Sequence, residues 1–177
     1  VIGANAAKIM TQQTSWSSIV NNAKLMVSFG GFPTGNSQIS NGGVSDHIQV
    51  DFLRQASSKG ISLISIAPRQ SIVDKAEQIE WIKARPNSDT ALILGICHTL
   101  LKESLHNINF LKKFTVGYEK FFQYLTGQSD GVVKNAVWAE QLSGVSSYEI
   151  SLLARKMATT PTMLSITWSL TRQENGE

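Results

Sequence analysis

Three apolar runs stop abruptly in turn-forming residues, and this pattern narrows the fold more than any other feature of the chain. "AKLMVSFGGFP" (residues 23–33) breaks at Gly30, Gly31 and Pro33. "ISLISIAP" (residues 61–68) breaks at Pro68, which has no N–H with which to extend a strand ladder. "TMLSITWSL" (residues 162–170) gives way to the polar "RQENGE". Short, nearly continuous apolar runs of this kind mark strands buried on both faces, as in parallel sheets. Strands are expected at residues 23–30, 61–66 and 162–168, with "QIEWIKA" as a shorter strand between the last two.

Helical spacing fills the gaps. "HIQVDFLRQASSKG" places Ile48, Phe52 and Leu53 on one face, with Gly60 positioned as a C′ cap. A second helix is expected from about Asp89 to Lys102. Strand, helix, strand, strand, helix is the rhythm of an α/β fold, here a Rossmann-like three-layer α/β/α sandwich with a mostly parallel sheet. The second half reads as short helices in "INFLKKFT", "YEKFFQYLTG", "NAVWAEQLSG" and "SSYEISLLARKMA", separated by Gly127, Gly131 and Gly144. Ser146 and Glu149 have capping-box spacing for the last of them. Phe121, Phe122 and Tyr124 are expected to pack in the core rather than to stack on bases.

Composition removes several classes. With 42% hydrophobic and 16% charged residues the chain is neither disordered nor fibrous, and 177 residues suit a single α/β domain spanning 1–177. Lysines and arginines are scattered and the net charge is only +3, so nucleic acid is not an expected partner. No apolar run reaches the ~18 residues that cross a bilayer, so no membrane insertion is expected. The chain opens at Val1 without an initiator Met and ends in a polar stretch, and the expectation is an interior fragment of a longer multidomain protein.

No reactive constellation stands out. Cys97 and His98 are neighbours, so on a helix they point about 100° apart, and His47 and His106 have no partner at ligand spacing. No metal ligand and no catalytic residue is assigned. A Ser elbow, a Walker A loop and GxGxxG are absent from the sequence. In parallel sheets ligands bind beyond the carboxyl ends of the strands. Three polar loops fall there, at residues 30–36, 67–71 and 87–89, and the expectation is that they meet in a shallow groove able to hold a nucleotide. Asp89 has two readings: with Ser88 it can cap the helix that follows, or it can contact a ligand.

The strings "VSFGGFP", "SIAPRQS", "RPNSDTALILGICHTLL", "FTVGYEKFFQYLTGQSDGVVKNAVWAEQLSGV" and "MLSITWSLTRQENGE", in that order, resemble an interior domain of the molybdopterin oxidoreductases. The resemblance covers nearly the whole chain and is nearest the branch of dimethyl sulfoxide, trimethylamine-N-oxide and biotin sulfoxide reductases. "YLTGQSDG" and "WAEQLSG" are its most branch-specific parts. It implies a bis(molybdopterin guanine dinucleotide) molybdenum cofactor shared among several domains, one guanine dinucleotide arm lying on the strand-end loops. It implies as partners the remaining domains of the same enzyme and a small S-oxide or N-oxide, in the periplasm or the cytoplasm. The metal would cycle between Mo(IV) and Mo(VI) as an oxygen atom leaves the substrate, on a metal ligand upstream of this segment. The segment alone is therefore expected to be inactive.

The cofactor-facing positions implied by the resemblance are Gly30, Gly31, Asn36, Ala67, Pro68, Arg69, Asn87, Ser88, Asp89, Trp168, Ser169 and Arg172. Several depart from the family pattern. Phe29 and Phe32 stand where the first motif has Trp and Asn; Ala67 stands where the second has Asp, the acid that meets a ribose hydroxyl. Thr171 replaces Gln in the last. Asp89 is retained, and a carboxylate can accept from the ring N–H and the amino group of guanine together. These departures leave a second reading open, a non-catalytic nucleotide-binding or interaction domain that kept the fold and lost the cofactor. A dehydrogenase-type Rossmann domain is disfavoured by the missing GxGxxG.

Overall fold

The computed structural model describes residues 14–32, 34, 47–166, 170–172 and 174. In chain order, α1 (Trp16–Asn22), β1 (Leu25–Phe29), α2 (Gln49–Ser58), β2 (Ser62–Ala67), α3 (Ile72–Ala76) and β3 (Glu80–Lys83) form the first half. Then come α4 (Asp89–Lys102), α5 (Ile108–Phe114), α6 (Tyr118–Leu125), α7 (Ala136–Ser143), α8 (Ser147–Thr159), β4 (Thr162–Ile166) and a 3₁₀ turn at Leu170–Arg172. The sheet order is β3-β2-β1-β4, and each neighbouring pair is parallel.

Register explains the two cores. Val27 lies beside Ile64 and Leu164, so Leu25, Val27, Phe29, Ile64, Ile66 and Ile82 point to one face. There they bury against Leu92 and Ile96 of α4, Ala139 of α7, and Ile150, Leu153 and Ala154 of α8. The alternate residues Met26 and Leu63 meet Ile19 and Val20 of α1, Leu53 and Ala56 of α2, and Val73 of α3. Full burial of each large aliphatic side chain contributes about 1.5–3 kcal/mol. Helices cover both faces, and the expected three-layer α/β/α sandwich is what forms.

Local signals fixed several element ends as read from the sequence. Gly60 takes φ +75°, with Ile61 N–H donating to Ala56 O at 3.0 Å and Gly60 N–H to Ser57 O at 2.9 Å, a Schellman motif closing α2. Ser146 and Glu149 form the expected capping box of α8, with Glu149 N–H donating to Ser146 Oγ at 3.2 Å and Ser146 N–H to Glu149 Oε2 at 3.2 Å.

Two expectations need correction. β4 was expected to be buried, yet Leu164 is 43% and Ile166 47% exposed. It is the edge strand beside β1, so the helix layer that covers Val27 and Phe29 leaves their neighbours Leu164 and Ile166 partly open. Residues 167–169, the end of the expected strand, lie outside the described residues. The aromatic residues of α6 are also not core. Phe121 and Tyr124 are exposed and Phe122 is half-buried, its ring edge-on to His106 and Tyr118. Of α6 only Leu125 is buried, because this helix packs on α4 rather than on the sheet.

Helix α4 is the hub of the helical face, and Gly95 lets α7 approach it. A Cβ at Gly95 would stand 2.6 Å from Ala139 Cβ and 3.4 Å from Ile150 Cγ2. Gly95→Ala gains about 1 kcal/mol of helix propensity. Overpacking of this kind typically costs about 1–3 kcal/mol. The variant is expected to unfold at lower urea concentration than the wild type; an equal or higher midpoint would show that the helices separate without penalty.

Lys134 is 2% exposed, and its ammonium donates to the Asp130 carboxylate and to Val132 O at 2.7 Å, 3.9 Å from the centre of the Tyr124 ring. The Lys134 hydrogen bond, assisted by the Val132 N–H, holds the Asp130 carboxyl below the usual carboxylate range. A depressed carboxyl stabilises the fold above its unfolded-state pKa of about 3.9 and loses that effect as pH falls through the folded value. Asp130→Asn strands a buried ammonium and is expected to lower the melting temperature at pH 7. The gap from wild type should close as pH drops below about 4. A gap independent of pH would contradict this account.

Candidate functional site

The carboxyl end of β1 closes in a tight turn. Gly31 N–H donates to Ser28 O at 3.3 Å, and the Ser28 hydroxyl donates to Gly31 O at 2.6 Å within the core. Gly30 sits third in this turn with φ +94°, where a positive φ favours glycine, and Gly31 follows at +73°. Gly30 N–H donates to Ile66 O at 2.9 Å, which ties the turn to the end of β2. Phe32 is 3% exposed and anchors the loop in the α1–α2 core.

This turn and the residues after β2 form one groove of about 480 Å³, lined by Gly30, Gly31, Thr34, Ala67, Arg69 and Asp74 among others. Arg69 is exposed beside it. Two of the three expected loops thus come together. Asn36, Trp168 and Ser169 lie outside the described residues, and Arg172 is exposed in the 3₁₀ turn.

The third loop does not line this groove. Arg85 N–H donates to Ser143 O at 2.8 Å, and its guanidinium donates to Gln141 O at 2.7 Å and Leu142 O at 3.3 Å. These are orphan carbonyls at the end of α7, where a cation also meets the negative end of the helix dipole. The loop is drawn to the helical face. Asn87 is exposed with φ +62°, and Ser88 is buried. Ser88 occupies the N-cap position of α4, as expected, but its hydroxyl donates to Arg85 O at 2.6 Å and does not cap. Asp89 is the first helical residue, half-buried, with its carboxylate in the first turn.

The sequence reading missed Asp74 and Trp81. Asp74 is 1% exposed and forms a capping box with Ser71 at the start of α3. Its Oδ2 accepts from Ser71 N–H at 2.8 Å and from the Ser65 hydroxyl at 3.2 Å, while Oδ1 is buried without a hydrogen-bond partner. The signal was present as Ser71-x-x-Asp74, the same spacing as Ser146-x-x-Glu149. Trp81 donates its indole N–H to Ala67 O at 3.0 Å and so fixes the end of β2, a contact no local pattern predicts. Burial pushes the Cys97 thiol up, which disfavours a reactive thiolate. Among the described residues no group of three or more His, Cys, Asp or Glu side chains is placed to hold a metal ion.

Comparison with known proteins agrees with this fold. The molybdopterin oxidoreductase family model matches residues 2–177. The chain is 35% identical to trimethylamine-N-oxide reductase of Haemophilus influenzae over 96% of its own length and 20% of that protein. It is also 35% identical to dimethyl sulfoxide/trimethylamine N-oxide reductase of Cereibacter sphaeroides, over 96% of the chain and 21% of that protein. Among solved structures, acetylene hydratase from Pelobacter acetylenicus superposes with a TM-score of 0.61 at 26% identity, covering 84% of this chain and 18% of that one. The chain spans about a fifth of the length of the curated relatives it matches. On the family match over almost its full length, the chain belongs to the molybdopterin oxidoreductases.

Proposed function

We propose that this chain is the domain that holds one guanine dinucleotide arm of a bis(molybdopterin guanine dinucleotide) cofactor, in an enzyme that reduces S-oxides or N-oxides. The groove formed by Gly30, Gly31, Ala67 and Arg69 at the carboxyl edge of the sheet carries this reading. The residues present fit a nucleotide. The glycine turn lets a ligand approach the backbone, and the exposed Arg69 guanidinium can donate charge-assisted hydrogen bonds to a pyrophosphate. Asp89 opens α4 beyond β3, on the same edge of the sheet. Neighbouring strands lie about 4.8 Å apart, so a dinucleotide is long enough to run from the groove past β2 towards Asp89. When bound, the cofactor supplies the oxygen-atom transfer; this chain's share is to bind and orient the arm.

A second reading, a nucleotide-binding domain no longer engaged in redox chemistry, draws on Ala67, where the family has an acid. Metal analysis of the native full-length protein separates the two: about one molybdenum per chain supports the enzyme, and none supports the second reading.

Nucleotide binding itself is testable on the chain. GDP is expected to bind weakly, with Kd about millimolar, since that corresponds to only ~4 kcal/mol of binding free energy. Arg69→Ala is expected to weaken it about tenfold or more, the size of one hydrogen bond to a charged group. Asp89→Asn replaces an acceptor oxygen with a donor facing guanine donors but still suits a helix start, so it should erase a preference for GDP over ADP with little change in melting temperature. NMR titration with both nucleotides reads this out. Wild-type binding of GDP and ADP with equal affinity would reject guanine recognition.

A further inference from the structure

We propose that the exposed apolar face of α5 is an interdomain contact. In the intact protein it is covered by an apolar surface with an acidic rim, supplied by the same polypeptide outside these 177 residues. The inference does not involve the nucleotide groove and holds whether or not a nucleotide binds there.

Its observation is a short helix that buries nothing. None of the seven residues of α5 is buried, and Phe110 and Phe114 are 53% and 63% exposed, with ring centroids 5.0 Å apart. Four residues apart, they share one face of the helix. Val116, in the turn into α6, is fully exposed. Isolated helices shorter than about 12–15 residues are marginal in water. Local chemistry supports α5 only at its ends. Phe110 N–H donates to Asn107 Oδ1 at 2.9 Å, and Lys112 and Lys113 stand in the last turn, where cations suit the helix dipole. The two phenylalanines add stability only when something takes them out of water, and exposed aromatic pairs of this kind mark interaction surfaces.

Length and charge select the cover. The chain spans about a fifth of the curated relatives it matches, and the greater part of each lies outside the match. Lys112, Lys113 and Lys120 are exposed on α5 and α6, and Glu119 is the one acid on these two helices. None of the ion pairs among the described residues uses any of the three lysines. Lys113 Nζ lies 5.2 Å from the centre of the Phe114 ring, so the cation and the apolar face meet a partner together. Such a surface is complemented by an apolar patch with carboxylates at its edge. A second copy of the chain fits poorly, because two-fold pairing sets the same lysines against each other.

The native full-length protein, diluted until mass photometry shows a monomer, decides the matter. Hydroxyl-radical labelling of Phe110 and Phe114 is expected to be about tenfold or more slower in the native than in the urea-denatured protein, since interface anchors are fully desolvated. Zero-length carbodiimide cross-linking is expected to join Lys112 or Lys113 to an Asp or Glu outside the 177 residues, within one polypeptide. Labelling near the denatured rate, as the exposure of the two rings here would give, overturns the proposal. So does the absence of the intramolecular cross-link. Protection that appears only at concentrations where dimers form assigns the face to a second copy, and protection only on adding phosphatidylglycerol vesicles assigns it to a lipid surface; either result overturns the proposal. A reactive α5 in a protein that carries molybdenum overturns this inference and leaves the functional reading standing.

Discussion

A parallel strand with neighbours on both edges and helices on both faces offers solvent nothing but its ends, and β1 is in that position. All five of its residues are buried. Its apolar alternation feeds two separate cores, and each core needs its own helix layer. That demand brings α4 and α7 so close that only glycine fits at position 95. It also leaves one useful exit, the carboxyl end, where the chain must turn sharply. The turn at Gly30 and Gly31, bound to Ser28 and to the end of β2, follows from that burial.

What could be read from the sequence divides along the same line. β1 and β2 were legible because burial on both faces writes itself as an unbroken apolar run. β4 carries an equally apolar run but lies at the sheet edge, and nothing in its composition records that position. Gly60 and the Ser146–Glu149 box were legible because caps are local chemistry. The aromatic spacing of α6 was read as core, although spacing reports only that one face is apolar and not what covers it. Asn36, Trp168 and Ser169 lie outside the described residues. Of the remaining site positions, Gly30, Gly31, Ala67 and Arg69 come together, whereas Arg85 binds the end of α7 and carries the third loop elsewhere. Arg85 gave no local sign of that role, since its acceptors lie 56 and 57 residues away.

The pull of Arg85 also shapes how the edge of the sheet can work. The guanidinium satisfies carbonyls that would otherwise end α7 unpaired, so the position of Ser88 and Asp89 is set by the packing of the helical face. The groove between β1 and β2 is set instead by the sheet and the α1–α2 core. A ligand that touches both reads two independently fixed surfaces, so its reach from the groove to the start of α4 decides how much it gains. Length is what such an edge rewards, and a dinucleotide has it.

Stability alone does not account for Asp74. Burying a carboxylate costs several kcal/mol unless hydrogen bonds replace its water, and a capping box returns only about 1 kcal/mol. A solvent-exposed acid or amide at the same position would cap α3 equally well, as Glu149 does for α8 while remaining exposed. Asp74 instead lies beneath the groove, held by Ser65 and Ser71 on one oxygen only. Two donors on Oδ2 fix the orientation of the carboxylate, and Trp81 fixes the strand end beside it. These contacts lock the start of α3 to the end of β2, and that junction, rather than the cap alone, sets the shape of the groove beside Gly30 and Gly31.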